Sequence, residues 1–385
     1  MKNSLPLRYS QLARLFLSVT VIIFIFIGCR KNIDQKALRD FGTVNLVDNG
    51  HNGATHQDTS LINAWGIAWA PSGIAWVNAH DGGVSALYDK DGASLRAPIR
   101  IPSPTDTSGG EPTGIVFNGS SDFMLSNGQP ARFIFVGEDG VLSGWNGAAG
   151  NNAIRIQDHS ADAAFTGLAY DSSNGAHYIY AADLKKASID VWDKNFMPVS
   201  MSFTDPNLPA GYGPFNIQSI GNWLFVTYAK KGPDGDEEKG AGNGIVSVFS
   251  PDGQFVKRFA SHGVLNAPWG VAMAPVGFFE DNDMDADDSS NGHGEHGQDG
   301  NRMHSILNIP TMLIGNFGDG KINVFSMDGQ WLGQVKSHGH ALVIDGLWAL
   351  SFPPSTATSI DPKRLYFAAG PNDETNGLFG YIIKQ

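Results

Sequence analysis

From Asn63 onward the chain alternates short apolar runs with tight polar turns. "WGIAWAP" ends in a Pro-Ser-Gly turn, "IAWVNAH" runs into Asp-Gly-Gly, and "GVSALYDKDG" closes on Asp-Lys-Asp-Gly. Runs this short, rich in β-branched and aromatic residues and bounded by Gly, Asp and Pro, predict strands joined by hairpins. The same order then recurs. The first run returns as "TGIVFNG" at Gly114, "TGLAYDS" at Gly167, "FNIQSIG" at Asn216, "WGVAMAP" at Gly270 and "LWALSFP" at Trp348. Each copy leads into a second run ("RFIFVGE", "HYIYAAD", "WLFVTYA", "MLIGNFG", "RLYFAAG") and then a third ("GVLSGWNG", "ASIDVWDKNF", "GIVSVFSPDG", "GKINVFSMDG", "GLFGYIIK").

Successive first runs are 48, 53, 49, 54 and 78 residues apart, and the last gap holds an acidic stretch of 22 residues, 280–301. A hairpin-rich period near 50 is that of four-stranded propeller blades. Fourth strands are expected at "APIRIP", "NAIRIQ", "MPVSMSF", "QFVKRFA" and "QWLGQVK". The sixth copy ends at Gln385 without one, and "TVNLVD", residues 43–48, is left over at the start. Pairing the two removes a free sheet edge. The fold class expected is therefore all-β: one six-bladed β-propeller of four-stranded antiparallel blades, closed by its N-terminal strand. Gly 47 and Pro 20, with 23 Phe, 9 Trp and 9 Tyr, agree with turns and strands rather than helices.

Residues 1–28 follow a different pattern. Lys2, Arg8 and Arg14 precede the apolar "LFLSVTVIIFIFIG", and Gly28 stands before Cys29, the only cysteine. This is a secretory signal ending in a lipobox-like site, with Phe26 where Leu is commonest. The organisation expected is a lipoprotein signal peptide at 1–28, lipidation of Cys29, a polar tether at 29–42 and the propeller at 43–385. A plain signal peptide or an uncleaved anchor is the alternative. Arg30 after the cysteine leans towards the outer membrane, on its periplasmic or surface side. With Cys29 lipidated, disulfides, thiolate catalysis and Cys-ligated metals are excluded from the mature chain.

Charge narrows the partners. Removing the three cations of the signal takes the formal charge from −12 to −15. A body this acidic argues against nucleic acid and against anionic membrane surfaces, leaving the lipid as the only membrane contact, and is compatible with cations or neutral solutes. The chain is expected as a monomer.

"DTSLINAWGIAWAPSGIAWVNAHDGGVSALYDKDG", "EPTGIVFN", "FIFVGEDGVLSGWN", "GPFNIQ", "NAPWGVAMAP", "IGNFGDGKINVF" and "DGLWALSF", in this order, resemble the uncharacterised bacterial propeller family associated with PEP-CTERM exosortase systems. The resemblance implies export and a propeller domain of NHL-like or gluconolactonase-like architecture, and brings no activity. The acidic insertion in the fifth copy and the lipoprotein-like start depart from that pattern.

Candidate chemistry gathers where each first run begins. Asn63, Glu111 and Asp345 stand three residues before the repeat position, and Asn266 four before it. Two carboxylates and two amides on neighbouring blades suit Ca²⁺ or another divalent cation, and gluconolactonase-like propellers use a similar set. The plain alternative is that they are turn formers. His80 beside Asp81 has the chemistry of a general base, whereas His56, His159, His262, His338 and His340 read as loop residues. Asp281, Asp283 and Asp285 alternate like a calcium loop but lack its Gly and Glu positions, and His293, His296 and His304 follow, so a hydrated acidic loop is the simpler reading. "GNFGDGKI", residues 315–322, spaces Gly315, Gly320 and Lys321 like a phosphate loop, but Ile322 replaces the hydroxyl and a hairpin follows instead of a helix. The function expected is binding of a protein, glycan or small molecule. The alternative is a metal-dependent hydrolase of the gluconolactonase or lactonase type acting at the central channel, through Asn63, Glu111, Asn266 and Asp345.

Overall fold

The computed structural model describes residues 35–280 and 310–385. Six blade sheets follow one another around an axis, with a separate two-stranded hairpin of Lys336–Ser337 and His340–Ala341. Blade 1 comprises Ala64–Trp69, Ala75–Ala79, Val84–Tyr88 and Ile99–Arg100, and blade 2 comprises Pro112–Phe117, Phe133–Gly137, Val141–Trp145 and Ile154–Asp158. Blade 3 holds Phe165–Ser173, Ala176–Asp183 and Ser188–Asp193. Its fourth position is taken not by a regular strand but by a Trp192–Pro198 bridge and a bond from the Val199 amide to the Val191 carbonyl. A proline at this edge cannot donate to the ladder, which limits the pairing.

Blade 4 is built of Tyr212–Ile220, Trp223–Lys230, Gly244–Phe249 and Phe255–Ser261, and blade 5 of Pro268–Met273, Thr311–Asn316, Ile322–Ser326 and Trp331–Gln334. Blade 6 joins both ends of the domain. Leu347–Ser351, Leu365–Ala369 and Leu378–Lys384 come from the C-terminus, and Phe41–Asp48 pairs antiparallel with Leu378–Lys384. His56–Gln57 adds a short parallel fifth strand outside it.

The burial of the strands explains the run pattern. Second and third strands such as Ala75–Ala79 and Val84–Tyr88 are buried at every position, because each sheet is covered on both faces by neighbouring blades. Fourth strands such as Ile154–Asp158 are only partly buried, with Arg155 and Asp158 exposed, because they lie at the outer edge of the ring. Separate apolar clusters fill the spaces between blades 1 and 2, 2 and 3, 3 and 4, and 4 and 5.

The repeat glycines have a steric cause. A Cβ on Gly66 would lie 2.3 Å from the Thr113 carbonyl oxygen, and one on Gly114 would lie 2.4 Å from the Leu168 amide nitrogen. Inner strands of successive blades touch there, and only glycine lets the backbones approach.

The segment expected as a tether up to residue 42 is shorter at that end. Leu38 and Phe41 are fully buried, Gln35 donates to the Leu332 carbonyl, and the Lys384 ammonium donates to the carbonyls of Ala37 and Arg39. Cys29, the signal at 1–28, and Asp281, Asp283 and Asp285 of the acidic insertion lie outside the described residues, as do His293, His296 and His304. Among the described residues no helix is long and apolar enough to cross a membrane.

Candidate functional site

The connections that follow each second strand, and those that enter each first strand, emerge on one face of the ring, around the axis. Beneath them the axis is closed by aromatic rings. Trp348 stacks on Trp65 at 3.5 Å and on Phe317 at 3.8 Å between centroids, and Trp269 and Phe215 meet it at 6.1 and 5.6 Å. Trp65 turns to the axis, whereas Trp69, four residues on, packs on Tyr366 and donates to Ser351. Below the plug the inner strands leave a cavity of about 30 Å³, one water's share of volume.

His80 sits at the floor of that face, 11% exposed in its side chain and 5.2 Å from the Trp65 ring. Its Nδ1 is 3.2 Å from Asp81 Oδ1 and its Nε2 is 3.0 Å from Glu138 Oε2. Burial opposes charge on the imidazole, but the two carboxylates outweigh it and hold its pKa up at about 10. A carboxylate beside each ring nitrogen favours the imidazolium, the form that has no lone pair to act as a general base. The bond to His80 in turn holds the Asp81 carboxyl below its usual range.

Around this cation stands an acidic rim drawn from several blades. Burial pushes Asp139 up to about 6, with Glu111's charge adding to it. Burial pushes Glu237 up to about 7, reinforced by Glu374 and opposed by Lys239. Glu374 is raised by burial and by Glu138, against the bond it accepts from Asn63 and the charge of Lys239. Asp236 is raised by burial and by Glu138. These mutual influences mean that blades 2, 4 and 6 bring their carboxylates within electrostatic reach across the mouth. The blade 6 loop carrying Glu374 holds Asn372, Asp373 and Glu374 in succession at φ 60°, 47° and 66°, a left-handed turn that costs about 1–2 kcal/mol per side-chain-bearing residue.

The four residues expected as metal ligands have partners of their own. Asn63 is buried, accepting from Trp348 Nε1 and donating to Glu374 Oε2, both at 2.9 Å. Asn266 Oδ1 accepts from the Gly240 amide at 2.6 Å. Asp345 accepts from the Asn372 amide at 2.8 Å, and Glu111 is exposed beside Asp139. Among the described residues no group of three His, Cys, Asp or Glu is placed to hold a metal. The other histidines stay at the periphery. His159 bonds Gln157 and His262 bonds the Gly242 carbonyl; His56 pairs at the outer edge of blade 6, and His340 lies in a short hairpin with His338 at its turn. Lys321, of the phosphate-loop-like stretch, pairs with Asp319 at 3.1 Å in a hairpin.

Sequence reasoning missed Glu138, Asp236, Glu237, Lys239 and Glu374. Their signal was present: in blades 1, 2, 4 and 6 an acidic residue stands in the connection after the second strand, in "AHDG", "GEDG", "GPDGDEEKG" and "PNDETNG".

No family model matches the chain. It is 31% identical over 361 residues to Uncharacterized protein R648 of Acanthamoeba polyphaga mimivirus, which covers 88% of this chain and 79% of that protein. It is 32% identical over 359 residues to Uncharacterized protein L690 of the same virus, covering 88% and 85%. Among solved structures, a streptogramin B lyase aligns with 90% of this chain and 97% of its own at 12% identity and a TM-score of 0.48. The BBS1N chain of a complex with ARL6DN aligns with 80% and 73% at 10% identity and a TM-score of 0.40. At such identity neither likeness speaks to activity.

Proposed function

The chain belongs to the family that includes the mimivirus proteins R648 and L690, and from that premise we propose that it is a binding propeller that captures a cationic ligand over its sealed axis. Neither relative's name states an activity, so the reading rests on the loop face. The observation that carries it is the meeting of Glu138, Asp236, Glu237 and Glu374, from three blades, with Glu138 raising the pKa of Asp236 and Glu374, and Glu374 and Asp236 raising that of Glu237. Like charges brought together in a folded protein repel, and a cation from solution relieves the repulsion. His80 offsets the rim only in part: it pairs with Glu138 and acts against the rise of Glu374, while Asp81 shares its charge.

A resident divalent ion held by Asn63, Glu111, Asn266 and Asp345, with a hydrolytic role, is the second reading. It is the weaker one because the amide oxygens of Asn63 and Asn266 already accept hydrogen bonds from Trp348 and Gly240. A single titration series separates the two: alkylammonium, guanidinium, Ca²⁺, a neutral sugar and a carboxylate are each followed by the melting temperature at low and high salt. Stabilisation by the organic cations that fades with salt and is lost in Glu138→Gln/Glu374→Gln supports the binding reading. Equal response to the sugar or the carboxylate overturns it, and tight Ca²⁺ abolished by Glu111→Ala or Asp345→Ala favours the hydrolase.

The proposal extends to location. Lys2, Arg8 and Arg14 before an apolar run ending in Gly28 and Cys29 support export and lipid anchoring outside the cytoplasm. Cys29→Ser is then expected to abolish lipid labelling and free the chain from membranes; unchanged retention counts against it. The kinship with exosortase-associated propellers is carried by the quoted motifs alone, the relatives above being viral.

A further inference from the structure

We propose that the cavity between blades 5 and 6 on the loop face is a site for a primary alkyl ammonium, and that Lys239 is its internal occupant, displaced when a ligand's ammonium enters. The inference rests on the cationic-ligand reading and adds the cavity, the ligand group and the competitor. The cavity holds about 150 Å³ and is lined by Phe317, Asp319, Asp345, Asp373 and Glu374, with Lys239 reaching in from blade 4. That is room for about five waters at about 30 Å³ each, or for a short alkyl chain with an ammonium at its end.

Carboxylates alone would say little about the occupant. The ring at the floor says more. Phe317 is 3% exposed and one of its faces is covered by Trp348 at 3.8 Å. The Lys239 ammonium sits 4.3 Å from the ring centroid, so it takes the other face. Among the described residues no ion pair joins Lys239 to a carboxylate, although Glu237 and Glu374 are near enough to feel its charge. A solvent-exposed lysine with an acidic rim about it ordinarily pairs with a carboxylate; this one is centred on an aromatic face, the arrangement by which proteins hold ammonium ligands.

The chemistry of the occupant selects the ligand. A metal ion needs several oxygens at short range, and the floor here is a ring, with no group of three ligating side chains placed for a metal among the described residues. The remaining carboxylates leave negative charge over. Asp319 is matched by Lys321 at 3.1 Å, Asp345 accepts from the Asn372 amide and Glu374 from the neutral Asn63, and Lys239 is the one cation in the lining near Asp373 and Glu374. Displacement is local. The blade 4 loop remains fixed by Lys230–Glu238 at 2.8 Å and by the Gly240 amide on Asn266, so only the Lys239 side chain has to swing out.

Two sources carry this group, free diamines and lysine side chains, and calorimetric titration of the purified full-length chain at low salt distinguishes them. The probes are 1,5-diaminopentane and Nα-acetyl-lysine methylamide, with Mg²⁺ as a charge control. Lys239→Gln is expected to tighten the better amine by about five-fold or more, since a site occupied most of the time by its own lysine offers only its vacant fraction to ligand. Asp373→Asn weakens it, and melting temperatures confirm that both variants are folded. Tighter binding of the diamine assigns the site to free amines, and tighter binding of the lysine derivative to peptide side chains. If Lys239→Gln binds an amine no better than the parent does, the internal-occupant inference is overturned while the cationic reading stands. If neither protein binds either amine but guanidinium still stabilises the parent, the ammonium site is overturned and the wider reading survives. Mg²⁺ binding as tightly as the amines, with the same response to the variants, also overturns it.

Discussion

His80 shows how one residue's role depends on neighbours that the chain brings from far away. Asp81 is adjacent in sequence, but Glu138 arrives from the next blade, and the two together turn a candidate base into a fixed cation. The sign of its effect on stability follows. The folded pKa, at about 10, lies above the unfolded value of 6.5, so the stabilisation is complete below about pH 6.5 and is lost as pH rises towards about 10. His80→Gln should therefore lower the melting temperature most at acidic to neutral pH, with the gap to the parent closing on the alkaline side. A gap of constant size would mean that the imidazolium is not the stabilising form. Gly114 makes a second residue-scale case. Gly114→Ala drives a Cβ into the Leu168 backbone and is expected to cost about 1–3 kcal/mol in urea unfolding. Gly147→Ala, where nothing lies within 4 Å, should cost far less.

At the scale of elements, the telling strand is Phe41–Asp48. It supplies the edge that blade 6 lacks, pairing from Phe41 with Lys384 to Asp48 with Leu378. Its removal exposes Leu378–Lys384 as a free edge and uncovers Phe41's place against Phe278 and Phe279. A chain beginning at residue 49 is expected to melt earlier and to aggregate, whereas one beginning at residue 35 keeps the parent's unfolding transition. Identical transitions for the two would show that the ring is not held shut by this strand. The element was legible because every other copy carried a fourth run and the last did not. The fourth strand of blade 3 was harder to read, since "MPVSMSF" has the right alternation and only Pro198 limits its pairing to a bridge.

At the scale of the molecule, the rim's charge is a titrating quantity. Asp139 and Glu237, raised to about 6 and about 7, lose their protons across neutrality, while His80 keeps its proton to about 10. The mouth thus becomes more negative from about pH 5 to about pH 8, and affinity for an organic cation should rise over that interval. Glu237→Gln should flatten the upper part of the rise. Affinity that falls or stays level with increasing pH in the parent would remove the rim from ligand capture.

By itself the sequence determined the six-fold repeat, the strands within each copy, the closing partner of the last blade and the acidic balance of the chain. Each of these follows from local spacing and composition, through turn chemistry and the period of the apolar runs. Only the tertiary structure decided what fills the axis and which polar residues meet above it. Trp65, Phe317 and Trp348 stand in three different copies, and His80, Glu138, Glu237 and Glu374 in four. Nothing in their spacing relates them. The ring brings them together because six inner strands, four of them kept close to a neighbour by the glycines at 66, 114, 167 and 270, converge on one axis, and the loops they support then crowd their charges into one mouth.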